Sequence, residues 1–117
     1  MADQASDTPV LDLLARMTAD SMVSAGLDAQ SLMVARIAAL VAVGAPTASY
    51  LMNLAAAEAA DLDPEQVRGV LAAVAPIVGT ARVVDAAGNI MEAFGIAIAA
   101  AIEAAELEAE ASDTPER

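Results

Sequence analysis

Between Ile37 and Ala57 the chain carries no charged residue, although acidic residues are dense elsewhere. The stretch from Ser31 to Ala60 reads as two apolar helices broken at Gly44-Ala45-Pro46, and the rest of the chain is organised around it. Before it, Val10, Leu13, Leu14 and Met17 recur at helical spacing, with Asp12, Arg16 and Asp20 on a solvated face. This predicts a first helix from Pro9 to about Ala25, capped by Asp7 or Thr8 and stopped by Gly26. Asp28 caps a second helix that ends at Gly44, and Pro46 opens a third that runs to about Ala60. Asp63-Pro64-Glu65-Gln66 is a capping-box start for a fourth helix, with Val67, Val70, Leu71, Val74 and Val78 on one face. Pro76 should kink or shorten its last turn. After Gly79, Thr80 is expected to cap a fifth helix to about Glu110. Phe94, Ile96, Ile98 and Ile102 make that helix apolar around much of its circumference. Gly88 and Gly95, seven apart, predict close approach of another helix, across a subunit interface.

The expected architecture is therefore all-α, a bundle of about five helices forming one domain over residues 8–110. Residues 1–7 read as a disordered lead and 111–117 as a disordered acidic tail. The segments Ala5 to Pro9 and Ala111 to Pro115 share one sequence, which reads as chance in a low-complexity chain.

Composition adds a size argument. The 117 residues are 58% hydrophobic but hold one Tyr, one Phe and no Trp, so the core must be built from Ala, Val, Leu and Ile. Alanine buries little area, and a homo-oligomer is expected because apolar helix faces would stay uncovered in a monomer. Met17, Met22, Met33, Met52 and Met91 read as core filler.

Charge excludes several functions. With 17 acidic residues, five basic ones and a net charge of −12, nucleic acid and anionic membrane surfaces are poor partners. The charge-free run is long enough to span a bilayer, but its central Gly and Pro and its lack of flanking basic residues argue against insertion. The start, MADQASDTPV, has neither region of a signal peptide, so a cytoplasmic location is expected. No Cys and no His means no thiolate nucleophile, no imidazole base and no His metal ligand. No cofactor and no metal are expected; Glu103, Glu106 and Glu110 read as a solvated helix end.

From about Ser31 to Ala93 the chain resembles the carboxymuconolactone decarboxylase family, which includes alkylhydroperoxidase-type members. The resemblance rests on Ser31-Leu32, Ile37 to Gly44, Ala55 to Val74 with its Leu62-Asp63-Pro64-Glu65-Gln66-Val67 helix opening, and the Gly79 turn. It implies an all-α fold and trimers or hexamers. The positions of the peroxidase-type cysteines and histidine fall on Pro46, Ser49 and Asn53, none of which supplies a thiolate or proton relay. The decarboxylase-type histidine also falls near Asn53, and Val34 or Arg36 stands where an upstream acid belongs. The family's chemistry therefore does not carry over, and no thiol peroxidase activity is expected.

The ligand-binding candidates are Arg36, Ser49, Tyr50 and Asn53. Arg36 stands alone in an apolar helix, either gripping a carboxylate or pairing with Glu58, Asp85 or Glu92. Tyr50 and Asn53 either line a cavity or satisfy each other or a backbone carbonyl. The leading expectation is a non-catalytic structural or small-ligand-binding homo-oligomer. The alternatives are an enzyme of the lactone decarboxylase type acting on a small acidic substrate, and a protein-binding adaptor. Convergence of Arg36, Tyr50 and Asn53 in one pocket would favour the enzyme.

Overall fold

The structure, a computed structural model, describes residues 7–112; the expected disordered lead and tail lie largely outside that range. Five helices follow in order: α1 (Pro9–Ala25), α2 (Ala29–Val43), α3 (Thr47–Ala59), α4 (Pro64–Val78) and α5 (Thr80–Ser112). There is no strand among the described residues.

The boundaries follow local chemistry. Asp28 accepts from Ser31 N (2.8 Å) and from the Ser31 hydroxyl, and these bonds hold its carboxyl below the ordinary carboxylate value. At α4 the capping box is complete: Asp63 Oδ1 accepts from Gln66 N (2.8 Å), and Gln66 Oε1 accepts from Asp63 N (2.9 Å). Gln66 also donates to Gln30, which donates to the Asp61 carbonyl, tying the start of α4 to the start of α2. Gly26 and Gly44 stop α1 and α2 in the left-handed conformation. Asp61 adopts the same region after α3 (φ 59°), a turn with no glycine to announce it.

Two local expectations, both about caps, need correction. Thr8 stands at the N-cap of α1 but makes no capping bond to the backbone; its hydroxyl donates to Asp12. Thr80 is the first residue of α5 rather than its cap, because Gly79 supplies the carbonyl that accepts from Val83 N (3.2 Å). Helix α4 continues through Pro76 to Val78, and α5 runs to Ser112.

Helix α2 is the centre. It buries Leu32, Met33, Ile37 and Val41, and packs against α3, α4 and α5, while α5 also lies along α3 and α4. Ile37, Val41, Ala45, Tyr50, Val70, Ala86, Ile90 and Ala93 form the main core, with Val67, Leu71, Val74 and Val78 of α4 packed half-buried against it. Met33, Ala57 and Ala60 form a smaller second cluster. The Thr47 hydroxyl donates to Glu92 Oε1 (2.6 Å), and Asn89 Nδ2 donates to the Ala45 carbonyl (3.2 Å), which fastens the start of α3 to α5.

Helix α1 is different. It buries no residue, and its stripe Val10, Leu13, Leu14 and Met17 is exposed. Of the methionines read as core filler, Met33 is buried and Met22 half-buried, whereas Met17, Met52 and Met91 face outward. The molecule measures 64 × 40 × 26 Å, with a radius of gyration of 17.8 Å against about 13 Å for a compact chain of this length. No helix of the described residues is long and apolar enough to cross a membrane.

Gly69 sits inside α4, exposed, and a Cβ there would meet nothing within 4 Å. Replacing it by Ala removes only the entropic cost of glycine in a helix. A gain of about 0.5–1 kcal/mol, read from the urea midpoint, is the expected result.

Candidate functional site

The aromatic and amide side chains of α3 are set by its register. Tyr50 and Asn53 are three apart, so both turn toward the space between α2, α4 and α5. That space is a cavity of about 200 Å³ walled by Ile37, Leu40, Leu54, Ala57, Leu62, Val67, Ile90, Ala93 and Phe94. Two polar side chains, Tyr50 and Asn53, line it, together with the carboxylate of exposed Glu58. No cationic residue does.

Tyr50 is 5% exposed, and its buried hydroxyl has no hydrogen-bond partner. Burial pushes its pKa above the ordinary 10.0, so the phenol stays neutral and keeps its O–H as a donor. An unsatisfied buried hydroxyl costs roughly 1–3 kcal/mol. Asn53 donates one Nδ2 hydrogen to the Ser49 carbonyl (2.8 Å), which leaves its second N–H and its Oδ1 acceptor. Ser49 thus contributes its carbonyl to Asn53 and is not among the cavity's walls.

Arg36 lies elsewhere. It lines the groove between α1 and α2 with Leu14, Met17, Thr18, Ser21 and Leu32, and its Nη2 donates to the Thr18 carbonyl at 3.4 Å. Its buried Nε has no partner. It forms no ion pair with Glu58, Asp85 or Glu92; the ion pair among the described residues is Arg68–Glu65. The fold thus brings Tyr50 and Asn53 together and keeps Arg36 apart from them.

Tyr50 also lines a second, more polar recess, together with Gly44, Arg82, Asp85 and Asn89 among others. Arg82 Nη1 donates to the Ala42 carbonyl (2.6 Å), placing a cation on the last turn of α2, where the helix dipole favours it. Of these residues, Arg82 and Asn89 were not singled out from the sequence. The available signal for Arg82 was its position as the sole basic residue between Arg68 and Arg117. For Ile90, Ala93 and Phe94 the cavity side of α5 was hidden by apolar residues on other sides of the same helix.

Among the described residues no group of three or more Asp and Glu is placed to hold a metal ion. No family model, no curated protein and no solved structure matches the chain.

Proposed function

We propose that the protein is a helical small-molecule binder that holds a neutral, largely apolar ligand in the cavity between α2, α3, α4 and α5. The observation that carries this reading is Tyr50, which lines an apolar cavity of about 200 Å³ and whose buried, neutral hydroxyl has no partner. A ligand carbonyl or hydroxyl would accept from Tyr50, and a ligand donor would reach Asn53 Oδ1. Few polar groups on an apolar wall is the usual composition of a binding cavity. An anionic ligand would meet Glu58 and no cation there, so the ligand is neutral.

The resemblance to carboxymuconolactone decarboxylases fits as an ancestry without the chemistry. The helix opening at Asp63 and the Gly79 turn support it, and Ser49 and Asn53 stand where reactive side chains belong. The reading as an enzyme on an acidic lactone needs Arg36 beside Tyr50 and Asn53, and Arg36 lies in a different groove. Binding without transformation is therefore the preferred reading.

The test compares cyclohexanone with cyclohexane, two ligands of similar shape that differ in one acceptor. By ligand-observed NMR, the ketone should bind roughly tenfold more tightly, consistent with one hydrogen bond to an otherwise unsatisfied group. Tyr50→Phe should erase that difference and leave the empty protein equally or more stable, because the orphaned hydroxyl is gone. If neither molecule binds at millimolar concentration, or the preference survives in Tyr50→Phe, the reading is wrong.

A further inference from the structure

Helix α1 buries no residue, yet one of its faces, Leu14, Met17, Thr18 and Ser21, looks onto α2. From α2, Leu32, Ala35, Arg36 and Ala39 look back with the same three- and four-residue spacing. Between the two rows lies a groove of about 520 Å³, a size usual for ligand sites. Leu14, Met17 and Leu27 line it and remain 42%, 55% and 52% exposed, so the chain leaves this apolar space unfilled.

The charge in the groove says what fills it. Arg36 is the charged residue among its lining, half-buried, with a buried Nε that has no partner. Its guanidinium makes a single hydrogen bond, the 3.4 Å contact to the Thr18 carbonyl. No acidic residue of the described chain pairs with it, although the sequence holds 17. A partly desolvated cation without a counter-ion is costly, and a carboxylate in bidentate contact is its natural partner. The hydroxyls of Thr18 and Ser21, neither singled out from the sequence, line the same groove and make no bond within the described chain. One cation balances one negative charge. A phosphate, with nearly two, would leave an excess in a chain of net charge −12.

We propose that the groove between α1 and α2 binds a free alkyl monocarboxylate, with its head on Arg36 and its chain along Leu14, Met17, Leu27 and Leu32. The row from Leu14 to Ser21 spans about 10 Å of helix, which sets the length of chain that is covered. The site shares no lining residue with the Tyr50 cavity, so it stands or falls apart from the ligand reading. It takes the class of ligand which that cavity refuses.

Titration calorimetry of the full chain with octanoate, hexanoate and 1-octanol tests it. Octanoate should bind at least tenfold more tightly than 1-octanol, the difference a charge-assisted bond makes. Hexanoate, two methylenes shorter, should bind roughly tenfold more weakly than octanoate. Arg36→Gln should bring octanoate down to the affinity of the alcohol. Leu14→Ala/Met17→Ala, at exposed positions, should weaken both ligands, and so keeps the test decisive if Arg36→Gln misfolds. Amide NMR spectra should show octanoate shifting α1 and α2, and Tyr50→Phe should bind it unchanged. The proposal fails if octanoate does not bind at millimolar concentration, binds no better than the alcohol, or keeps its affinity in both groove variants. It fails equally if Tyr50→Phe loses octanoate, because the carboxylate would then sit in the other cavity.

Discussion

Val41→Asp is expected to leave no cooperatively folded protein at neutral pH. Val41 is 0% exposed and sits where α2 meets Tyr50, Val70, Ala86 and Ile90. No buried residue of the described chain is charged, so an aspartate there would find no counter-ion. Leaving a buried charge unpaired costs about 3–5 kcal/mol, to which the lost packing of valine adds. A domain of this size has about 5–15 kcal/mol in total, and this one has few large side chains to spare. Burial would raise the new carboxyl's pKa, so its neutral form is favoured in the fold. The penalty is therefore smallest below the unfolded value near 4 and grows as pH rises through the raised folded value. Circular dichroism melts should show a broad or absent transition at pH 7. A sharp transition within a few degrees of the wild type would mean that α2 is not the centre of the core.

Met33→Ala should cost about 2–5 kcal/mol, and Met52→Ala less than about 0.5 kcal/mol. The two residues are identical in type and lie in adjacent helices. Met33 is 1% exposed and fills the small cluster with Ala57 and Ala60, where neighbouring alanines cannot collapse into the vacancy. Met52 is 65% exposed and projects from the outer side of α3. Chemical denaturation of both variants reads the contrast directly. Equal losses would place Met52 in a buried interface that the single chain does not show.

These two methionines also mark where legibility in the sequence ended. Helix starts and stops were legible because their causes are local. Asp28 and Asp63 bond amides three residues away, and Gly26 and Gly44 take a conformation that other residues disfavour. The apolar face of α4 was legible for a similar reason, since its valines are separated by polar or small residues that reveal the spacing. Thr80 misled because a carbonyl supplied by Gly79 takes the place of the expected cap residue.

Where helices are apolar on several sides, composition no longer tells which side is inside. Nothing in α5 alone distinguishes Ile90, at the core, from Ile98, facing out. Only the packing of α2, α3 and α4 against it decides that. The same holds for the candidate site. Tyr50 and Asn53 share a helix, and their common direction follows from three-residue spacing. Whether Arg36 joins them depends on how α2 is rotated between α1 and the rest of the bundle. Its side of α2 turns toward Thr18 of α1, while the Ile37 side turns toward the cavity. The chain's own chemistry therefore determined an all-α protein with defined helix ends and no thiol or imidazole. The tertiary structure decided which apolar faces meet, and so which hydroxyl is left buried without a partner. Caps act over one turn, whereas a helix rotation is set by every surface it touches.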